Sequence, residues 1–163
     1  MTSNGVFQDF SGNMGRPIIQ LVLILFRSAN FFRASSSRLI RVLGIPVAVI
    51  YRAVALTVAN IDIPAGTSIG RRLQIHHGTG LVINRTCRLG DDVILRHCTT
   101  LGSKSDLMNG PSIGSRVDIG PNSIVLGDIV VGDDSTIGAG SVVLKDINPG
   151  LTVAGNPAKP LGA

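Results

Sequence analysis

Two of the three histidines in the chain lie side by side, His76 and His77, in the stretch IHHGTGLVIN. Imidazole ordinarily titrates close to neutral pH, so a histidine can take a proton from a reacting hydroxyl group and later return it. The third histidine, His97, follows further along the chain. Because two histidines can also bind a metal ion, the pattern leaves two chemistries open, acid–base catalysis and metal binding.

The composition favours a narrow and regular interior. The chain has 163 residues, enough for one domain with a hydrophobic core. It holds 20 glycines but only five phenylalanines, one tyrosine and no tryptophan, which suits a coiled repeat better than a broad sandwich. Hydrophobic residues make up 44% and charged residues 15%, so we expect an oligomer that covers apolar surface.

The net charge of +5 suits an anionic cofactor or a membrane surface. We predict no nucleic-acid partner, because the basic residues do not cluster with aromatic ones and no nucleic-acid-binding motif is present. The two cysteines, Cys87 and Cys98, are too few for a disulfide framework, which favours reduced thiols in a cytosolic protein.

The first 60 residues predict a polar tail and two helices. Residues 1–15 are polar, with no secretory signal, and a helix is expected from Pro17 to about Phe32. A second helix, capped by the serines at 35–37, is expected to reach about residue 60, with Pro46 as a kink or a break. The apolar run of the first helix is too short to span a bilayer, and that of the second contains Pro46 and Arg52, so a spanning helix is disfavoured and peripheral membrane contact is left open.

A repeat of six residues begins near Ile61 and continues for most of the chain. An apolar residue recurs at every sixth position in three registers, separated by a two-residue slip and by an irregular stretch: Ile63, Ile69, Ile75 and Leu81; then Ile83, Leu89, Leu95 and Leu101; then Ile113, Ile119, Val125, Val131, Ile137 and Val143. Each hexad predicts one short strand and one turn, so that three hexads close one triangular coil with the aliphatic residue pointing inward. The predicted fold class is an all-β left-handed parallel β-helix with an N-terminal α-helical segment.

The repeat predicts three parts and one protruding loop. The parts are a helical segment at 1–60, a β-helical catalytic domain at 61–147, and a C-terminal extension at 148–163. Residues 104–111 do not fit the hexads, and we expect them to form a loop at one corner, where function is often carried. His77 and His97 each stand two residues after an inward position, so they should stack on neighbouring coils roughly 5 Å apart.

Three segments of the sequence resemble a known family. IGRRLQIHHGTGLVIN, VILRHCTTLGS and GAGSVVLKDINPGLTVAGNPAK are similar to segments of the hexapeptide acyltransferases, in the serine acetyltransferase-like group. Within this group, the chain most resembles the sugar O-acetyltransferases of capsule and exopolysaccharide pathways, such as the colanic acid type. The resemblance covers about 61–162. Its IHHGTG segment is specific, whereas GAGSVV is shared across the superfamily.

The resemblance implies a site in which His77 is the catalytic base and Asp62 orients it. It also implies acetyl-CoA as cosubstrate and a homotrimer in which the site lies between neighbouring coils, so that His77 and Lys159 can serve one site from different chains. The sequence departs from the serine enzymes in having His76 in place of an aspartate. It also has Asn109–Gly110 where those enzymes hold the amino acid with an Arg–His pair.

The remaining site residues are assigned by chemistry and by the resemblance together. Backbone N–H groups at Gly102 and Ser103 are candidates for the thioester oxygen, because glycine lets the backbone approach a ligand closely. Lys145 and Lys159 are candidates for the coenzyme phosphates, with Ala139 also at the cofactor. His97 and Asn109 are assigned to the acceptor. No cysteine or carboxylate joins the histidines in register, so no metal site is predicted.

The predicted function is transfer of acetyl from acetyl-CoA to a saccharide hydroxyl in surface polysaccharide synthesis, by direct transfer with a histidine base, in the cytoplasm or at the inner face of the membrane. Two alternatives stay open. One is serine O-acetylation for cysteine synthesis, and the other is a non-catalytic scaffold built from the same repeat. Serine is disfavoured because its carboxylate would enter a site that lacks the expected cation at Asn109–Gly110.

Overall fold

The computed structural model describes residues 5–105 and 109–162, and an N-terminal helical segment precedes a coil of short strands. The helical segment consists of a 3₁₀ turn (Ser11–Asn13), α1 (Pro17–Ala34), α2 (Arg38–Leu43), α3 (Ile45–Ala53) and a π-helical turn (Val54–Val58). Pro17 opens α1 as predicted, since proline fits the first turn of a helix. The prediction of a kink or a break at Pro46 is confirmed, because α2 ends at Leu43 and α3 begins at Ile45, with Pro46 in the first turn of α3. Ser37 precedes α2 without a side-chain capping bond, and its N–H donates to Ser35 Oγ at 3.2 Å instead.

The prediction of a polar tail is wrong for residues 5–15. Asp9 and Asn13 are buried beneath α1. The Asp9 carboxylate accepts hydrogen bonds from Arg27 at 2.8 Å and from the N–H of Leu73 at 2.9 Å. The Asn13 amide donates to the Leu73 carbonyl and accepts from the N–H of Ile75. Both polar side chains therefore join the N-terminus to the first coil, which a polar composition alone does not reveal.

Within the described residues, the coil is built from fifteen short strands. In chain order they are β1 (Ile61–Asp62), β2 (Ser68–Ile69), β3 (Gln74–His76), β4 (Leu81–Ile83), β5 (Arg88–Leu89), β6 (Ile94–Arg96), β7 (Thr100–Gly102), β8 (Ser112–Ile113), β9 (Asp118–Ile119), β10 (Ile124–Leu126), β11 (Val130–Val131), β12 (Thr136–Ile137), β13 (Val142–Val143), β14 (Thr152–Gly155) and β15 (Ala158–Pro160).

Every third strand pairs in parallel with the strand one coil away. The first face is β1-β4-β7-β10-β13, the second is β2-β5-β8-β11, and the third is β3-β6-β9-β12-β14 with β15 at its end. β15 turns back and pairs antiparallel with β14. The described chain thus forms a left-handed parallel β-helix of about four turns, as the hexads predict. Because β14 still pairs with β12, the coil continues past residue 147.

The hexad positions form the interior. All fourteen of the predicted inward residues are buried, from Ile63 in the first coil to Val143 in the last. α1 covers the open N-terminal end of this column with Ile19, Val22, Leu23 and Phe26. Tyr51 of α3 is also buried and donates its hydroxyl proton to the Ile63 carbonyl at 2.5 Å. The helices and the coil therefore share one hydrophobic core.

Three corners separate the three faces, and we name each by its content. The histidine corner contains residues 77–80, 97–99, 120–123 and 138–141. The charged corner contains 70–73, 90–93, 114–117 and 132–135. The loop corner contains 63–67, 84–87, 103–111, 127–129 and 144–146, of which 106–108 lie outside the described residues. Ile147 pairs with Val131 on the second face, and 148–151 pass beside 132–135 to reach β14.

The two-residue slip lies at the histidine corner. Ile75 pairs with Leu95, whereas Val82 pairs with Thr100. The first coil therefore uses two more residues than the second to turn from the third face to the first. The additional length belongs to the segment that begins at His77.

Candidate active site

His77 stands at the point where the histidine corner leaves β3. Its φ is +67°, and Gly78 follows at +56°, the only two consecutive left-handed residues in the described chain. Gly78 is required here, because a Cβ at this position would come within 2.8 Å of Ile61 Cδ1 and 2.9 Å of Ile19 Cδ1. The close packing of Gly78 under α1 fixes the backbone, while the His77 side chain remains exposed.

His97 lies one coil above His77, as the repeat predicts. The two ring centroids are 6.1 Å apart and the planes meet at 78°, an edge-to-face arrangement. The ladder that joins the coils continues through this corner, where the N–H of Cys98 donates to the Thr79 carbonyl at 2.8 Å. The Nδ1 atom of His97 is buried and has no hydrogen-bond partner within the described residues. The structure therefore brings two imidazoles together with unused hydrogen-bonding capacity.

The neighbouring His76 has a different environment. Its Nδ1 lies 3.2 Å from the guanidinium of Arg16, which can only donate, so Nδ1 must accept and the ring proton belongs on Nε2. Burial lowers the pKa of His76, and the positive charges of Arg16 and Arg96 lower it further. His76 is thus held neutral with its lone pair occupied. Of the two adjacent histidines, His77 is the one that is free to accept a proton.

A cleft of about 340 Å³ lies beside His77. Its walls come from the start of α1, the end of the π-helical turn and the histidine corner: Gly15, Arg16, Pro17, Ile18, Ile19, Val58, Ala59, His77 and Thr79. Sequence reasoning missed the contribution of the helical segment, and Arg16 in particular. The signal is weak, because a single arginine before Pro17 resembles any surface cation. Its role becomes visible only when α1 is folded against the coil.

Asp62 lies on β1, opposite Val82 of the next coil. Its carboxylate accepts a hydrogen bond from the guanidinium of Arg52 at 2.6 Å, and both side chains are partly exposed. No hydrogen bond joins Asp62 to His77 within the described part of the chain. The carboxylate is therefore near the start of the coil, as expected, but in this conformation its partner is the arginine of α3.

The predicted residues of the loop corner lie apart from His77 within one chain. Gly102 ends β7, and Ser103 Oγ accepts from the Asn84 amide at 3.5 Å. The Asn109 amide lies 3.4 Å from the Asp128 carboxylate. Since a strand of the first face separates the two corners, a single chain does not bring Ser103 or Asn109 to His77.

The two predicted coenzyme lysines do come together. Lys145 and Lys159 both line a cleft of about 520 Å³ at the C-terminal end of the coil, with mainly apolar walls from β13, β14 and β15. Ala139 lies at the histidine corner, in the turn between β12 and β13. The cleft offers these two cations and apolar surface, together with Asp146, whose carboxylate accepts a hydrogen bond from the N–H of Val130. Two lysines and apolar walls suit a phosphate-bearing ligand with an apolar arm. Among the described residues, no group of three or more His, Cys, Asp or Glu side chains could hold a metal ion.

Comparison with known proteins places this geometry in a family. Residues 110–145 match the family described as "Bacterial transferase hexapeptide (six repeats)". The "Putative colanic acid biosynthesis acetyltransferase WcaB" of Escherichia coli strain K12 is 41% identical over 115 residues, which cover 70% of this chain and 71% of that protein. The "Serine acetyltransferase" of Mycobacterium tuberculosis is 44% identical over 106 residues, 63% of this chain and 46% of that protein.

Solved structures agree with the sequence relatives. The soybean serine acetyltransferase apoenzyme superposes with a TM-score of 0.80 at 30% identity, covering 96% of this chain and 67% of that one. The serine acetyltransferase of Vibrio cholerae O1 superposes with a TM-score of 0.79 at 31% identity, covering 98% and 65%. A parallel β-helix with a histidine-bearing corner and these relatives define an acyltransferase. The chain belongs to the hexapeptide-repeat acetyltransferases, in the group that contains both serine and colanic acid enzymes.

Proposed function

We propose that the protein moves acetyl from acetyl-CoA to a saccharide hydroxyl in surface or exopolysaccharide synthesis, in the cytoplasm. The observation that carries this proposal is the ring of His77, which is exposed beside a cleft, stacked on His97 and free of hydrogen bonds within the described residues. The Escherichia coli relative named for colanic acid biosynthesis, which aligns with most of this chain, supports a saccharide acceptor.

In the proposed reaction, His77 accepts the proton of the acceptor hydroxyl while the hydroxyl oxygen forms a C–O bond to the carbonyl carbon of the acetyl group. The C–S bond then breaks, and His77 returns the proton to the departing thiolate, so the coenzyme leaves as a free thiol. Backbone N–H groups at Gly102 and Ser103 are proposed to hold the developing oxyanion. Asp62 is proposed to stabilise the imidazolium of His77 once substrates displace the carboxylate from Arg52.

The proposed site is shared between copies of a homotrimer. The loop corner and the histidine corner of one chain are separated by the first face, so a neighbouring copy would supply Gly102, Ser103 and Asn109 to His77. Exposed valines on the outside of the coil, Val82 and Val130, offer apolar surface for such packing. Lys145 and Lys159 would hold the coenzyme phosphates from the cleft at the C-terminal end.

Serine O-acetylation is the second candidate, and a specific observation favours it. Arg16 places a guanidinium in the cleft beside His77, where it could bind a carboxylate. Several relatives carry the name serine acetyltransferase. Against this candidate, Arg16 already donates to His76 and to the Gly12 carbonyl, and the loop corner offers Asn109 and Gly110 as neutral groups.

An acceptor screen tests the choice. With acetyl-CoA as donor, we expect L-serine to be a poor acceptor and a saccharide or nucleotide sugar to be a good one, because a neutral hydroxyl requires no new cation. The measurement is steady-state thiol release together with mass detection of the acetylated product. A KM for serine in the millimolar range or lower, with turnover above about 1 s⁻¹, would replace the saccharide proposal by the serine one.

The Arg16→Gln variant separates the two candidates further. If a serine carboxylate binds Arg16, the substitution raises the KM for serine by far more than the KM for any saccharide. If Arg16 serves only to hold His76, both values change little and in parallel. Arg71→Gln, an exposed arginine on the charged corner, is the matched control.

A further inference from the structure

The outer side of α2 and α3 carries an apolar stripe that no part of the described chain covers. Its members recur at helical spacing on the side away from the coil: Leu39, Val42, Leu43, Val49 and Ile50. Leu43 and Val49 are each 62% exposed, and no residue of α2 is buried. The opposite side faces the core through Tyr51 and Ala55. The helical segment from α2 onward therefore has two apolar sides, and only one of them packs against the core.

The charge of this segment is one-sided. Between residues 10 and 61 the sequence holds six arginines and no aspartate or glutamate. With the flanking Asp9 and Asp62 included, the segment carries four of the five net positive charges of the chain. Arg33, Arg38 and Arg41 form no ion pair with any described acidic residue, whereas the arginines of the charged corner are all paired. Their charge is thus available to a partner.

We infer that the outer face of α2 and α3 docks on the surface of an anionic lipid bilayer, with the apolar stripe among the acyl chains and the arginines at the headgroups. An amphipathic helix with an apolar face and arginines beside it has the composition of an interfacial helix. A second copy of the same face would bring arginines against arginines, which like-charge repulsion disfavours. Charge complementarity therefore selects an anionic membrane over self-association.

The docked helices lie in the interface and do not cross the bilayer. Two helical runs of the described chain, Pro17–Ala34 and Arg38–Val58, are long and apolar enough to span a membrane by length and composition alone. However, α1 buries its apolar side against the coil, and Tyr51 is hydrogen-bonded to Ile63 in the first coil. Removing either helix from the coil would expose the core, whereas surface docking leaves it intact.

Docking also has a consequence for the site. Val58, at the end of the same helical run, is 60% exposed and lines the cleft beside His77. The apolar stripe and one wall of the cleft therefore belong to the same helical run. An acetyltransferase bound in this way would work next to the membrane surface. The docking itself does not depend on which acceptor is acetylated.

Vesicle flotation of the full chain tests this inference. We expect the protein to float with vesicles of phosphatidylcholine and phosphatidylglycerol, and to bind at least about tenfold less to phosphatidylcholine alone. Binding should weaken when the salt concentration is raised from about 0.1 M to about 0.5 M, because salt screens the arginines. Leu43→Asp should reduce binding by about tenfold or more, because it places a charge on the apolar stripe.

Two further variants complete the design. Leu161→Asp is the matched control, since Leu161 is 59% exposed at the other end of the molecule, and it should bind like the wild type. Arg38→Glu leaves the apolar stripe intact and should remove the preference for anionic vesicles, which keeps the test valid if Leu43→Asp does not fold.

Three results would overturn the inference. The first is recovery of the wild type unbound from every vesicle, and the second is flotation of Leu43→Asp to the same extent as the wild type. The third is a change in oligomeric state alone for Leu43→Asp in sedimentation velocity, which would mean that a second copy covers this face.

Discussion

The histidine corner and the charged corner both turn through left-handed residues, but they differ in the side chains that they carry. At the charged corner Arg72, Asp92, Arg116 and Asp134 stack on successive coils, all with left-handed backbone angles. Arg72 binds Asp92 at 2.5 Å and Arg116 binds Asp134 at 2.6 Å. Each of these arginines therefore meets an aspartate of opposite charge one coil away.

At the histidine corner the polar groups are not matched in this way. His77 and His97 contact each other through their rings, and the buried Nδ1 of His97 has no partner in the described chain. A cleft adjoins His77, and no residue of the charged corner is among those that line it. The comparison teaches that a left-handed residue at a corner is a property of the coil, while unpaired polar groups beside a cleft mark the site.

The largest expected effect is on activity at the histidine corner. His77→Ala should reduce kcat/KM by about 10²–10⁴-fold, because a general base contributes on this scale. Steady-state acetyl transfer measures it, and circular dichroism with sedimentation velocity verifies the fold and the oligomer. Arg116→Gln at the charged corner is the control and should keep normal activity. Near-normal kcat in a folded His77→Ala variant would contradict the assignment of His77 as the general base. It would also contradict the conclusion that the histidine corner, and not the charged corner, forms the site.

The repeat made the coil predictable to a degree that the helical segment was not. An inward aliphatic residue every six positions determines the side of each strand, so Ile63, Leu95 and Val143 could be placed in the core without a structure. The stacking of His77 on His97 follows from the same periodicity. The residues at 5–15 have no such period, and the burial of Asp9 and Asn13 depends on partners at least 60 residues away or on α1.

The candidate site was predictable in part for the same reason. Residue type and spacing indicated His77, but they did not distinguish its environment from that of His76, which depends on Arg16. Nor did they show that Asp62 binds Arg52, since the two residues meet only when α3 packs beside the first coil. The contacts between the helical segment and the coil have no sequence period, so they became visible only in the fold.

A smaller effect is expected from Asp62. Asp62→Asn should reduce kcat less than His77→Ala does, because the amide keeps the shape but loses the charge that supports an imidazolium. Arg52→Gln is the informative companion, since it removes the present partner of Asp62 and leaves the carboxylate in place. We expect Arg52→Gln to retain activity, measured in the same assay.

The two variants together decide the role of Asp62. Full activity of Asp62→Asn would show that the carboxylate is a structural residue at the start of the coil, paired with α3. If Asp62→Asn were as inactive as His77→Ala, the carboxylate would do more than orient the base. Either result would change the role assigned here to Asp62, which lies between the helical segment and the histidine corner.

The smallest expected effect lies at the charged corner and concerns stability at low pH. The side-chain hydrogen bond from Arg72 lowers the pKa of Asp92, and the one from Arg116 lowers the pKa of Asp134. A carboxylate whose pKa is lower in the folded state stabilises the fold above its ordinary pKa and loses that contribution as the pH falls through the folded value.

These pairs are exposed and individually weak, so we expect Asp134→Asn to lower the thermal midpoint at neutral pH by no more than about 2–4 °C. Asparagine tolerates the left-handed backbone at this position, so the substitution changes charge and little else. Between about pH 5 and about pH 2, the thermal unfolding midpoint should then fall less steeply in Asp134→Asn than in the wild type. Acetyl transfer at neutral pH should be unchanged. An identical pH dependence would mean that the arginines do not stabilise this corner through their aspartates, and a loss of activity would mean that the two corners are not independent.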